Sequence, residues 1–181
     1  AALCHNLKEI AHNGRHEWAG DPMELALAEM GRRTAGSLTG HARVDEPPFD
    51  TDRKRMSVLC DTPVGRMLYC KGALETVLAC CDRVQLDAGI VPLDDAVRTR
   101  LLAAQDAMAE AGLRVLAFAH RPLDAPPSAG EADLLLAGLV GLEDPPRPEV
   151  PDAVARCAVA GIRVIMVTGD HPHTALAIAR Q

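Results

Sequence analysis

Two stretches of the 181-residue chain join residue types that could recognise a nucleotide. Phe49 stands five residues before Lys54 in Phe49-Asp50-Thr51-Asp52-Arg53-Lys54-Arg55-Met56-Ser57-Val58, at the entry to an alternating apolar run. An aromatic face can stack on a purine, a contact worth about 1–3 kcal/mol in other base-stacking systems. Lys54 supplies a compact point charge for phosphate or ribose. On chemistry alone the plainer reading, a core phenylalanine beside a solvated basic turn, is the stronger. In Lys71-Gly72-Ala73, the glycine lets backbone approach a ligand, a helix start behind it favours an anion, and Lys71 adds positive charge. A surface lysine before a turn glycine accounts for the same tripeptide equally well.

Weaker candidates surround these. Glu24 can accept a hydrogen bond from the exocyclic amine of adenine, although its place three residues after Asp21 also fits a capping box. Arg114 can pair with phosphate or face solvent. Thr168-Gly169-Asp170 follows the near-continuous apolar run 162–167. Open α/β sheets bind ligands at the carboxyl ends of such strands, so a phosphoryl group could be held there; an ordinary capped turn is the alternative. Asp144 and Arg147 flank Pro145-Pro146, a stiff linker whose angle the charges could set.

Composition excludes several classes. A net charge of −6 argues against a nucleic-acid partner. No apolar run reaches the length of a membrane span, and no basic stretch followed by an apolar core marks a signal peptide. The 6 cysteines form no C-x-x-C pair and read as reduced thiols packing as small apolar groups. His171-Pro172-His173 reads as a solvated loop, and no metal site is expected among these residues.

The elements that must position these groups follow from spacing. Asp21 as cap and Pro22 in the first turn predict a helix running to about Met30 and stopped by Gly31. Residues 36–48 read as a loop. Runs 55–60 and 67–71, joined by a Gly/Pro linker, predict an antiparallel hairpin. Residues 73–81 read as a short helix and 94–111 as a long one, with Val97, Leu101, Ala104 and Met108 at helical spacing and Gly112 as the stop. A strand at 113–119, a loop at 121–133 and a buried strand at 134–142 follow. Then the pattern becomes helix (149–160), strand (162–167), helix (174–180), as in a parallel sheet with helices on both faces. The change in pattern places a boundary at Pro145-Pro146, giving domains 1–144 and 145–181.

The order of these strings resembles the P-type cation-transporting ATPases, most closely the calcium-type and related bacterial pumps. Gly20-Asp21-Pro22-Met23-Glu24-Leu25-Ala26-Leu27 is similar to the family's G-D-P-x-E-x-A-L, and Pro48 to Val58 to its P-F-D-x-x-R-K-R-M-S-V. Lys71-Gly72-Ala73-Leu74-Glu75 resembles K-G-A-P-E, with Leu74 in place of proline, a departure that would loosen the turn after Lys71. Gly112-Leu113-Arg114-Val115-Leu116-Ala117, Gly141-Leu142-Glu143-Asp144-Pro145-Pro146-Arg147 and the run 161–170 match almost throughout. No Asp-Lys-Thr-Gly-Thr string, which carries the family's phosphorylated aspartate, occurs.

The resemblance implies an α+β nucleotide-binding domain, an antiparallel sheet flanked by helices, followed by an incomplete α/β segment of haloacid-dehalogenase type. It implies that Phe49 stacks on adenine, Glu24 lies near its amine, Lys54, Lys71 and Gly72 line the ATP pocket and Arg114 meets phosphate. Thr168, Gly169 and Asp170 would belong to the phosphoryl site, and Asp144 and Arg147 to the hinge. The parent protein would use ATP with Mg2+, through an aspartyl-phosphate, to move a cation across a membrane. This part would lie on the cytoplasmic face, at the plasma membrane, against phosphorylation, actuator and transmembrane domains. Isolated, it would be a soluble monomer that binds ATP without hydrolysing it. Two alternatives stand beside this: a fragment of a soluble haloacid-dehalogenase-type phosphatase, and an interaction domain whose nucleotide pocket has decayed.

Overall fold

The computed structural model describes residues 1–12, 15–35, 38–123, 130–143, 146–168 and 172–180. Asp144, Gly169, Asp170 and His171 lie outside the described residues. Strands β1 (Lys8–His12) and β2 (Arg15–Ala19) pair as an antiparallel ribbon, followed by helix α1 (Pro22–Ala35). Next come β3 (Ala42–Asp45), β4 (Arg55–Thr62), β5 (Gly65–Gly72), α2 (Leu74–Leu78), β6 (Cys81–Leu86) and β7 (Gly89–Pro92). The chain continues with α3 (Asp95–Glu110), β8 (Arg114–Pro122), β9 (Leu134–Leu142), α4 (Val150–Val159) and α5 (Pro172–Ala179). Seven strands form one sheet in the order β3-β4-β5-β8-β9-β6-β7. Its pairs are antiparallel except β6 with β9, which is parallel.

Local chemistry explains most starts and stops. Asp21 Oδ1 accepts from the Met23 amide at 2.8 Å, and Asp94 Oδ1 accepts from the Val97 amide at 2.8 Å, capping α1 and α3. The hairpin is longer than the apolar runs suggest: β4 and β5 pair from Arg55–Gly72 to Thr62–Gly65, and Gly65 turns the chain at φ +115°. One expectation fails in α1. Gly31 does not stop the helix, which continues to Ala35. A Cβ at Gly31 would stand 2.5 Å from the Ala2 backbone nitrogen, so this glycine permits a close crossing of the N-terminal segment over α1. A second correction concerns 36–48, expected as a loop, where β3 adds an edge to the sheet through β4.

The main core lies on one sheet face, where Leu68, Leu134 and Leu136 meet Leu74, Val77 and Leu78 of α2, with α3 packed behind. Leu74, the departure from the family string, is 1% exposed. Its side chain therefore anchors α2 in the core, while the Ala73 amide still donates to Lys54 O at 3.0 Å. A smaller cluster of Cys4, Met56, Val58 and Cys60 fills part of the opposite face. The cysteines are free thiols, and burial pushes Cys4 up to about 12 and Cys70 to about 11. Because the thiolate is the reactive form, iodoacetamide at pH 8 should leave Cys4 and Cys70 unmodified in the native chain and reach half-buried Cys157 of α4 first. Peptide mapping by mass spectrometry checks this; rapid labelling of Cys4 below the melting transition would contradict the packing.

Residues 162–167 form neither helix nor strand, contrary to the periodicity. Ile162, Val164, Ile165 and Met166 are exposed, and Val167 is 92% exposed. A parallel strand is built for burial on both faces between neighbouring strands, and among the described residues no strand lies beside this segment. The flanking helices expected at 149–160 and 174–180 do form, as α4 and α5.

Candidate functional site

Residues 50–54 make a tight turn before β4. The carboxylate of Asp50 accepts from the amides of Asp52 at 2.8 Å and Arg53 at 2.9 Å, and those bonds hold its pKa below the usual carboxylate value. The Lys54 amide donates to Asp50 O at 2.7 Å, and Lys54 then adopts the left-handed φ of +50° that turns the chain into β4. Phe49, at the head of the turn, is 54% exposed. The reading as a core phenylalanine is thereby excluded; the ring offers an open face to solvent.

Gly72 brings this turn to the end of β5. A Cβ there would lie 2.4 Å from Lys54 O and 2.5 Å from the Arg55 Cβ. The glycine is needed for the crossing of two backbones, a different use from the ligand approach considered on sequence. Lys71 and Gly72 are thus drawn beside the Phe49–Lys54 turn, although the two strings are separated along the chain.

Lys71 is 4% exposed, which removes the surface-lysine reading. Its ammonium reaches both carboxylate oxygens of Glu24, at 2.5 Å for Oε1. The Glu24 side chain is 19% exposed. Glu24 therefore spends its carboxylate on tying the first turn of α1 to β5 rather than on closing a capping box. Charge-assisted bonds of this kind are strong, and the pair is costly to break from one side.

Arg114 stands elsewhere. It is exposed on β8 and lines a cleft of about 580 Å³ together with Asp21 and Met23 at the start of α1, Leu142, Glu143 and Met166. This places Arg114 across a cleft from the helix turn that carries Glu24. Arg147 is exposed, with its carbonyl accepting from the Val150 amide at 2.9 Å at the entry to α4. Thr168 is exposed on the irregular segment. Its neighbours Gly169 and Asp170 are outside the described residues, as is Asp144. Among the described residues no cluster of histidine, cysteine or acidic side chains suits a metal ion.

One residue was not anticipated. Glu131, just before β9, accepts from Arg55 Nε at 2.6 Å, Arg53 Nη1 at 3.0 Å and Ser57 Oγ at 2.6 Å. Burial raises its pKa, but the hydrogen bonds from Ser57 and Arg55 and the two guanidinium charges outweigh that, so the carboxyl is held below the usual value. Nothing local in Gly130-Glu131-Ala132-Asp133 announces this role; the partners are 74 to 78 residues away in the chain.

Residues 1–149 match the family model described as P-type ATPase, cytoplasmic domain N. The chain is 38% identical over 191 residues to calcium-transporting ATPase 1 of Bacillus cereus, with 99% of this chain and 20% of that protein covered. It is 41% identical over 191 residues to the cation-transporting ATPase pma1 of Synechocystis, with the same coverage, 99% and 20%. The sodium/potassium-transporting ATPase subunit alpha-2 of Gallus gallus is 38% identical over 206 residues, covering 99% of this chain and 20% of that protein. The chain thus spans about a fifth of the length of the curated relatives it matches.

Proposed function

The chain belongs to the P-type ATPase family, and from that premise we propose that it is the ATP-binding part of a cation pump. The observation that carries this reading is the convergence at Gly72: an exposed Phe49, the left-handed Lys54 and the Lys71–Glu24 pair are drawn to the end of the β4–β5 hairpin where β4 begins and β5 stops. Phe49 stacks on the adenine, Lys54 and Lys71 supply charge, and Glu24 lies within the same group for the exocyclic amine. Arg114, across the cleft from the start of α1, meets the phosphates.

In the whole protein this part lies on the cytoplasmic face of a membrane, the plasma membrane in our reading, beside phosphorylation, actuator and transmembrane domains. An aspartate supplied outside this chain takes the γ-phosphoryl group as an aspartyl-phosphate, and its formation drives cation transport. Thr168, Gly169 and Asp170 contribute to the phosphoryl site, and Asp144 and Arg147 form the hinge between domains 1–144 and 145–181. In the intact protein the nucleotide is used as ATP with Mg2+.

An NMR titration with ATP, AMP and GTP tests the reading. Shifts should cluster at Phe49, Lys54 and Lys71, with adenine favoured over guanine. Binding should be weak, about −4 to −6 kcal/mol, or roughly millimolar to tens of micromolar. Phe49→Ala should weaken AMP and ATP by about thirtyfold, the middle of the range for a lost stacking contact. No shifts at millimolar ATP, or nanomolar affinity unaffected by Phe49→Ala, would overturn the proposal.

A further inference from the structure

We propose that Glu131 is a positioning residue for nucleotide recognition: it holds the Phe49–Lys54 turn in its binding geometry through Arg53. This rests on the nucleotide-binding reading above. The relay is short. Glu131 Oε2 accepts from Arg53 Nη1 at 3.0 Å, and Arg53 Nη2 donates to Pro48 O at 2.8 Å, so one guanidinium ties Glu131 to the carbonyl immediately before Phe49. The same carboxylate oxygen accepts from Arg55 Nε at 2.6 Å, immediately after Lys54. The other oxygen accepts from Ser57 Oγ at 2.6 Å, within β4. Both ends of the turn are therefore fastened to a single side chain that belongs to another part of the chain and is itself 9% exposed.

The physical need is plain. Phe49 is exposed, so its ring is not positioned by burial. The turn's internal bonds, from Asp50 to the amides of Asp52 and Arg53, fix its shape but not its place on the sheet. Gly72 and Ala73 fasten the Lys54 peptide from one side; Glu131 fastens Pro48 and Arg55 from the other. A recognition loop held in advance by such bonds loses less freedom on binding, and affinity falls when the supports are removed. Arg53 and Arg55, which the basic string would suggest as phosphate ligands, are instead satisfied by Glu131.

The test is AMP and ATP binding to this chain by NMR titration, with thermal melting measured alongside. Glu131→Gln keeps the side-chain shape and removes the charge that gathers both arginines. It should weaken AMP and ATP by the same factor, about five- to tenfold, in line with coupling between residues of one network. In the Phe49→Ala background the same substitution should change AMP affinity by less than about twofold, because its effect passes through the ring. Arg53→Gln is the second variant, for the case in which Glu131→Gln does not fold. It cuts the link to Pro48 while leaving the bonds of Glu131 to Arg55 and Ser57, and it should reproduce the AMP loss and its dependence on Phe49. A lower melting temperature with unchanged AMP affinity well below the transition would overturn the proposal, as would equal losses with and without Phe49. If the unaltered chain binds and both variants bind equally well, this inference alone fails; if the unaltered chain binds neither nucleotide, the nucleotide-binding reading fails with it.

Discussion

Lys71→Met is expected to lower the stability of the chain by about 3 kcal/mol, the lower end of the range for breaking a buried pair from one side. Lys71 is 4% exposed and its ammonium reaches both oxygens of Glu24, whose side chain is 19% exposed. Removing it leaves a carboxylate shielded from water and without its cation. The lower end applies because solvent still reaches part of Glu24. For a chain of 181 residues, a loss of this size corresponds to a fall in Tm of roughly 6–12 °C. On the proposed reading ATP affinity should fall as well, because Lys71 would then supply charge to the nucleotide. A surface lysine would give the second effect without the first, which is the outcome expected from the sequence read alone.

The double variant Glu24→Gln/Lys71→Met separates the two roles. It removes the stranded charge, so much of the stability should return, while ATP binding stays weak. Urea unfolding of the two variants and the parent provides the numbers. An unchanged midpoint for Lys71→Met would show that the pair is not closed in solution.

Gly72→Ala should cost about 3 kcal/mol or more, at the upper end for overpacking a well-packed site. The added methyl would stand 2.4 Å from Lys54 O, 2.5 Å from the Arg55 Cβ and 2.7 Å from the Arg55 Cα. Two of those atoms belong to backbone, so no side-chain rotation relieves the overlap. Either the Lys54–Arg55 peptide moves away or β5 does, and the bond from the Ala73 amide to Lys54 O is lost with it. Amide shifts should therefore change from Asp50 to Arg55, and nucleotide binding should fall together with stability. Gly130→Ala is the control. A Cβ there meets nothing within 4 Å, and the change should be close to neutral. Equal stability of the two variants would mean that the turn and β5 are not held together as described.

Much of the local structure was legible because its causes are local. Asp94 caps α3, Asp21 caps α1, and the helical spacing of Val97, Leu101, Ala104 and Met108 needs no partner to be recognised. The β4–β5 hairpin was legible for the same reason: a short Gly/Pro linker between two alternating runs folds them side by side. The family was legible as an order of strings.

What the chain order hides is where distant segments meet. β6 and β7 are short, and β6 joins the sheet by a parallel pairing with β9, a partner some fifty residues later, which no period-2 pattern specifies. β3 carries an exposed edge whose identity as a strand comes from β4 alone. Residues 162–167 show the converse: the apolar pattern of a buried strand without neighbours to bury it. In the candidate site the same rule holds. The sequence specified lysine, glycine and phenylalanine at their positions, because side-chain chemistry is a property of single residues. That Lys71 is buried on Glu24, that Gly72 admits the Lys54 backbone, and that Glu131 gathers Arg53, Arg55 and Ser57 depended on sheet register and desolvation, which exist only once remote segments have packed.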